Sequence, residues 1–236
     1  MTAASLEVSG LSAGYGPTRI IEDVSFAVPA GGRLAVLGRN GMGKTTLFAT
    51  LAGQTRRYGG AVKLGDTALT GLDGSRRALG GLGYVPQSRS IFKSLTVEEN
   101  LFVGLKARPR DAIAEAYAMF PRLKERRRNL GSQLSGGEQQ MLSTARTILG
   151  QPTVLLLDEP LEGLAPVICE ELMAAFTELA ATKAMTILLV EQRIKAALAF
   201  AEAVIILERG RIAWSGTPVE LAAQPEVVDR LLGVGH

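Results

Sequence analysis

The sequence predicts an α/β fold whose main sheet is mostly parallel and covered by helices on both faces. Three observations carry that expectation. Short, wholly apolar runs such as Val154–Leu157 and Ile187–Val190 have the length of strands buried on both sides. Helical patterns alternate with these runs on either side of the middle of the chain. The stretch from about Lys93 to Leu149 is nearly all helical and breaks the alternation. It reads as a helical subdomain, 93–149, inserted within a single domain of residues 1–236.

Leu6–Val8 and Ile20–Val28 alternate in polarity and carry β-branched residues, so both read as strands. Leu34–Leu37 is a short apolar strand ending at Gly38, and a glycine-rich turn leads into a helix from Lys44 to about Ala52. Ala61–Leu64 and Leu82–Val85 follow as strands. Thr96-Val-Glu-Glu99 is a capping box that opens a helix. Helical pattern continues through Asp111–Phe120 and Arg122–Arg128. Ser135-Gly-Gly-Glu138, a second capping box, opens a helix to about Leu149. Thr153–Leu157 is an apolar strand, and Pro166 suits the first turn of a helix running to about Ala181. Ile187–Val190 is a buried strand, followed by a helix over Arg193–Glu202. Val204–Leu207 and Arg211–Ser215 form a hairpin around Arg209-Gly210, and Thr217-Pro-Val-Glu220 caps a last helical segment.

With 236 residues, 47% of them apolar, the chain can bury a sizeable core. A single cysteine, Cys169, excludes an internal disulfide and a thiolate zinc cluster. The single histidine, His236, is the last residue, which leaves no imidazole base or HExxH metal site within the fold. Any chemistry falls to carboxylates, amides, hydroxyls, Lys, Arg and backbone. The formal charge of +3 is spread among interspersed acids and bases, as on a mixed solvated surface. The basic run Lys124-Glu-Arg-Arg-Arg128 contains an acid and no interleaved aromatics on which bases would stack. It reads as a solvated helix face, and no direct nucleic-acid partner is expected. Met1–Gly10 lacks a secretory leader pattern, and no apolar run approaches the ~20 residues that span a bilayer. A cytoplasmic chain is expected.

Gly38-Arg-Asn40-Gly41-Met-Gly43-Lys44-Thr45 fills every fixed position of GxxxxGK[ST], and it lies between a predicted strand and a predicted helix. Backbone amides of such a loop cradle phosphate oxygens, and the helix N-terminus adds partial positive charge. Lys44 would reach the β/γ-phosphates and Thr45 would ligate Mg²⁺, with Asn40, Gly41 and Thr46 in the same cradle. A second strand delivers Asp158-Glu159 at its C-terminal end, where ligands sit in open α/β sheets. Asp158 is placed to hold Mg²⁺. Glu159 points the other way along the strand and can polarise an attacking water.

The segment Leu134-Ser135-Gly136-Gly137-Glu138-Gln139 narrows the class. It resembles the LSGGQ or LSGGE signature of the ATP-binding subunits of ABC transporters. The resemblance implies a P-loop NTPase of RecA-like type, with an antiparallel β subdomain beside the core sheet and a helical insertion carrying the signature. It implies ATP hydrolysis with Mg²⁺ by two subunits paired head to tail, each signature (Ser135, Gly136, Gly137, Glu138 here) closing on the partner's γ-phosphate. Tyr15 matches the aromatic residue that stacks on adenine. Gln87 matches the glutamine that touches Mg²⁺ and the attacking water. The following Ser88–Leu95 matches the surface on which a membrane permease subunit docks. Ile91 and Phe92 suit a partner groove if exposed and the core if not.

Two departures from the wider family narrow the resemblance further. The strand Ile187–Val190 and Glu191 are followed by Gln192, where most of the family has a γ-phosphate-contacting His. A glutamine amide donates a hydrogen bond without charge, so Gln192 can orient the γ-phosphate or Glu159. The common Ser-Ala-Leu-Asp after the acidic pair is replaced by Glu162-Gly163-Leu164-Ala165 before Pro166. Val190-Glu191-Gln192, Gly163-Leu164-Ala165-Pro166 and Phe120-Pro121-Arg122-Leu123 are similar to the smaller ATPase of branched-chain amino acid uptake systems. That branch implies a second ATPase subunit, identical or paralogous, and membrane permease subunits that hold the chain on the inner face of the plasma membrane. An extracytoplasmic solute-binding protein would be met only indirectly. Leu161-Glu162-Gly163 also resembles ATPases of urea and short-amide uptake. A non-transport ABC ATPase or an ATP-gated dimerisation module is the alternative from another class; the first usually carries two cassettes or long insertions, and intact Lys44, Asp158 and Glu159 speak against the second.

Overall fold

The computed structural model describes residues 2–182 and 185–233, so the one histidine, His236, lies outside the described residues. Strands β1 (Leu6–Tyr15), β2 (Thr18–Val28), β4 (Arg56–Leu64) and β5 (Thr67–Ala68) form an antiparallel sheet in the order β2-β1-β4-β5. Strands β3 (Arg33–Leu37), β6 (Leu82–Val85), β7 (Val154–Asp158), β8 (Thr186–Val190), β9 (Ala203–Glu208) and β10 (Arg211–Gly216) form the larger sheet, in the order β10-β9-β3-β8-β7-β6. Its neighbours run parallel except β10, which returns antiparallel along β9.

The continuous apolar runs follow from this layering. Successive side chains on a strand point to opposite faces. Leu34, Val36, Leu156 and Leu188 share one core with Leu6, Val8 and Leu11 of the antiparallel sheet. Leu47, Phe48 and Leu51 of helix α1 (Lys44–Leu51) complete it. Ala35, Leu37, Leu155, Leu157 and Leu189 face the other way. They pack on Met141 and Leu142 of α6 (Gly136–Leu149) and on Leu172 and Phe176 of α7 (Pro166–Ala181). A strand covered on both faces has no polar side.

Helices α2 (Gly74–Leu79), α3 (Val97–Gly104), α4 (Ala114–Met119), α5 (Pro121–Glu125), α8 (Ile194–Phe200), α9 (Pro218–Ala222) and α10 (Pro225–Leu232) complete the element list. Between residues 93 and 149 the regular elements described are α3 to α6 and two short 3-10 turns, with one isolated bridge, Thr96 to Leu130. Among the described residues no helix is long and apolar enough to cross a membrane.

Several boundaries differ from the sequence reading. β1 runs on to Tyr15 through Gly10, and β4 begins at Arg56 rather than Ala61. The two pair with irregular register between Ser9 and Ser12, and their glycines hide the alternation there. The Asp111–Phe120 pattern divides into a 3-10 turn (Arg110–Ile113) and α4. Phe120, at φ −132° and ψ 85°, leaves the helical region because a proline follows, and Pro121 starts α5. α5 ends at Glu125, short of the expected Arg128. α2, capped by the Asp73 carboxylate on the Arg76 N–H at 2.8 Å, and α10 were not anticipated as separate helices.

Candidate nucleotide site

The loop after β3 ends at Gly43, which sits at φ +99° as the residue before α1. A Cβ there would lie 2.9 Å from Ile21 Cδ1, so both the backbone and the space require glycine. This turn puts Lys44 at the first position of α1. Its side chain is 4% exposed, and Nζ donates to the carbonyls of Gly38 (2.8 Å) and Arg39 (3.2 Å). Nζ also lies 3.6 Å from Glu159 Oε1. The first turn of α1 has no side-chain cap and no acidic residue, so its amides remain available to an anion.

β7 ends on Asp158, with no exposed surface. Thr45 Oγ1 donates to its Oδ1 at 3.2 Å and the Tyr84 hydroxyl to its Oδ2 at 3.1 Å. Burial pushes the Asp158 carboxyl up to about 6, and the Glu159 charge adds to the rise. The bonds from Tyr84 and Thr45 and the Lys44 charge oppose it. Burial and the same carboxylate push the Tyr84 phenol well above its ordinary value. Glu159 adopts φ +47°, and its N–H donates to Val190 O at 2.9 Å. A left-handed conformation at a non-glycine residue costs on the order of 1 kcal/mol and is held by its surroundings. It turns the Glu159 carboxylate into the cleft while Asp158 stays beneath it.

Three side chains meet Glu159 from three segments. Gln192, just past β8, donates from Nε2 to Glu159 Oε2 at 2.6 Å. Gln87, just past β6, donates from Nε2 to the same oxygen at 3.3 Å and to Glu162 Oε2 at 2.6 Å. Lys44 faces the other oxygen. Glu191 Oε1 accepts the backbone N–H groups of Gln192 (2.8 Å) and Arg193 (3.1 Å), which fixes the turn carrying Gln192. Burial raises the Glu191 carboxyl.

The resulting cleft, about 360 Å³, is lined by Asn40, Gly41, Gly43, Lys44, Thr45, Thr46, Gln87, Glu159 and Gln192, joined by Ile20 and Glu162. Nine of the expected site residues thus converge, with Asp158 bonded behind Thr45. Tyr15, 49% exposed at the β1–β2 hairpin, does not line the cleft. Nor do the signature residues. Ser135 Oγ accepts the Glu138 N–H at 3.3 Å and Glu138 Oε2 accepts the Ser135 N–H at 2.8 Å, closing the capping box that starts α6. A Cβ on Gly137 would lie 2.9 Å from Ile168 Cγ2, so this glycine is a close approach between α6 and α7.

Two participants escaped the sequence reading. The sequence shows Tyr84 only as part of a strand. Its register opposite Leu156, two residues before Asp158, is what brings its hydroxyl to the carboxylate. In the sequence Glu162 marks a departure from the common Ser-Ala-Leu-Asp, with no role attached. Ile91 packs on the core, whereas Phe92 is 46% exposed with the Arg146 guanidinium 4.9 Å from its ring centre. Arg89 lies by the signature, its guanidinium 3.0 Å from where a Gly136 Cβ would be.

A lysine-bearing phosphate loop between β3 and α1, facing carboxylates at the end of β7 on a mostly parallel sheet, defines a P-loop NTPase. Residues 21–162 match the family model described as ABC transporter. The chain is 37% identical to the high-affinity branched-chain amino acid transport ATP-binding protein BraG of Pseudomonas aeruginosa, over 97% of this chain and 99% of that one. It is 35% identical to the probable branched-chain amino acid transport ATP-binding protein LivF of Archaeoglobus fulgidus, over 95% and 97%. It is 32% identical to the lipopolysaccharide export system ATP-binding protein LptB of Escherichia coli K12, over 98% of each. A solved ATP-binding subunit of an ABC transporter superposes with TM-score 0.82 at 26% identity, over 97% of this chain and 96% of that one. The chain belongs to the ABC transporter family and is one of its ATP-binding, ATP-hydrolysing subunits.

Proposed function

We propose that the chain powers an importer of branched-chain or other hydrophobic amino acids, as one of two ATPase subunits held by permease subunits on the inner face of the membrane. The observation that carries the solute is the 37% identity to a branched-chain amino acid transport ATPase across nearly the whole of both chains. The site supports the energy-coupling half of the proposal independently.

The donors in the cleft suit a hard divalent cation. Asp158 is a carboxylate whose pKa is raised by burial, with the Glu159 charge adding to the rise, and Thr45 adds a hydroxyl oxygen beside it. Among the described residues no group of three or more His, Cys, Asp and Glu is gathered as a metal cage, which fits an ion completed by phosphate oxygens and water. Thr45, Asp158 and Gln87 would hold Mg²⁺, which when bound neutralises charge on the β- and γ-phosphates. Lys44, now on two carbonyls and Glu159, would exchange these for phosphate oxygens. Asn40, Gly41, Gly43 and Thr46 lie where the phosphates would be cradled. That exchange releases one Glu159 oxygen. Gln192 and Gln87 hold the other by neutral amide donors, leaving the carboxylate charged and able to take the proton of an attacking water.

Ser135, Gly136, Gly137 and Glu138 stand outside this chain's own cleft, which supports their serving the ATP of a second copy or a paralogue. Tyr15 is exposed and available to an adenine ring. The helices of residues 93–149 form the subdomain that carries the signature. A groove of about 390 Å³, lined in part by Tyr84, Pro86, Phe92, Val103 and Arg146, would take the permease subunit. A solute-binding protein outside the membrane would be reached only through that subunit. Lipopolysaccharide export is the second reading, resting on the 32% identity to LptB.

Uptake of labelled leucine by cells carrying the chain with its neighbouring permease genes tests the solute. Uptake that disappears with Lys44→Ala supports it. Unchanged leucine, isoleucine and valine uptake in that variant removes the amino-acid reading and leaves the ATPase standing.

A further inference from the structure

Gln87 makes a contact that the phosphate chemistry alone does not require. Its Nε2 lies 2.6 Å from Glu162 Oε2 and 3.3 Å from Glu159 Oε2. Ionised carboxylates only accept hydrogen bonds, so only the NH₂ end of the Gln87 amide can face the two of them. The carbonyl oxygen Oε1 is therefore turned away from both glutamates. The two carboxylates reach one amide because a single turn links them, the Glu162 N–H donating to Glu159 O at 3.2 Å. Glu162 is exposed and makes no salt bridge among the described residues, so fold stability does not explain its placement.

We propose that Glu162 is a positioning residue for the cation site. It clamps the NH₂ of Gln87 and so presents Gln87 Oε1 to the metal held with Thr45 and Asp158. The inference rests on the nucleotide-and-metal reading of the cleft given above. Glu162 touches neither nucleotide nor metal in this account; its whole effect passes through Gln87. Its loop lies directly after β7, and Gln87 opens the segment leading to the permease groove. A shift of either loop would release the amide and loosen the cation. Metal-ligand groups are commonly held in this way by an outer hydrogen-bond partner.

A double-mutant cycle on a readout other than turnover tests the clamp. Mn²⁺ binding is followed by electron paramagnetic resonance in complexes with the non-hydrolysable analogue AMP-PNP. The proteins are the wild type, Glu162→Ala, Gln87→Ala and the double variant. Loss of the outer partner is expected to weaken Mn²⁺ about tenfold, as for other outer-shell groups. Gln87→Ala weakens it at least as much, and the double variant matches Gln87→Ala. Unchanged Mn²⁺ affinity in Glu162→Ala overturns the proposal. So does a further tenfold loss when Glu162→Ala is added to Gln87→Ala, because Glu162 would then act as a remote charge. AMP-PNP binding in EDTA is measured alongside and stays unchanged in Glu162→Ala. A wild type that binds no AMP-PNP at all brings down the nucleotide reading and this proposal with it.

Discussion

Gln192 donates its side-chain amide to Glu159 across 2.6 Å, at the position where most of the family carries histidine. A neutral donor fixes the direction of the carboxylate without neutralising it. The sequence left open whether Gln192 serves the γ-phosphate or Glu159. In the structure it bonds Glu159.

Gln192→Ala is expected to lower kcat about tenfold, less than the roughly 100-fold or more that a positioned general base itself contributes, with KM for ATP little changed. Gln192→His keeps or raises turnover, because imidazole supplies a stronger donor in the same place. It also gains a further acidic limb near pH 6.5, since a protonated imidazole weakens Glu159 as a base. Phosphate release measured across the pH range distinguishes the three proteins. Complete inactivity of Gln192→His would mean that Gln192 has another task.

Asp158 ties the proposed Mg²⁺ site to pH and stability. Its pKa in the fold is raised to about 6 by burial, from an ordinary 3.8, so the ionised form is the penalised one. The penalty is absent below about pH 4, grows as the carboxyl ionises and is complete above about pH 6. A shift of about two units corresponds to roughly 2–3 kcal/mol. Asp158→Asn should therefore melt higher than the wild type at pH 8 in EDTA and no higher at pH 4, while losing metal-dependent hydrolysis. Parallel melting curves at both pH values would contradict this assignment.

Gly137 tests why the signature needs its second glycine within one chain. The missing Cβ would meet Ile168 Cγ2 at 2.9 Å. Gly137→Ala is expected to destabilise by about 1–2 kcal/mol, overpacking outweighing the better helix propensity of alanine. With Ile168→Ala present the sign reverses, because the obstructing methyl is gone. Denaturant unfolding of the four proteins measures the coupling, and equal effects in both backgrounds would exclude the contact.

The legible parts of the molecule were those set by local chemistry. The loop ending in Gly43-Lys44-Thr45, the apolar strand leading to Asp158-Glu159 and the capping box at Ser135 each declare themselves within a few residues. The first two converge because parallel strands deliver their C-terminal ends to one edge, whereas the Ser135 box stands outside the cleft. The less legible parts depend on register. Tyr84 reaches Asp158 because β6 pairs with β7 at Leu156, and Glu162 reaches Gln87 across segments far apart in sequence. β1 and β4 were under-read where Gly10 and Gly60 carry no side chain to show the alternation.

In the proposed function, Glu159 takes the proton of the attacking water in a site completed by a second chain. Glu159→Gln, mixed with ATP and Mg²⁺, is followed by light scattering for mass and by phosphate release for turnover. A stable ATP-dependent dimer is expected, with phosphate release lowered at least about 100-fold relative to the wild type. Turnover equal to that of the wild type would contradict it.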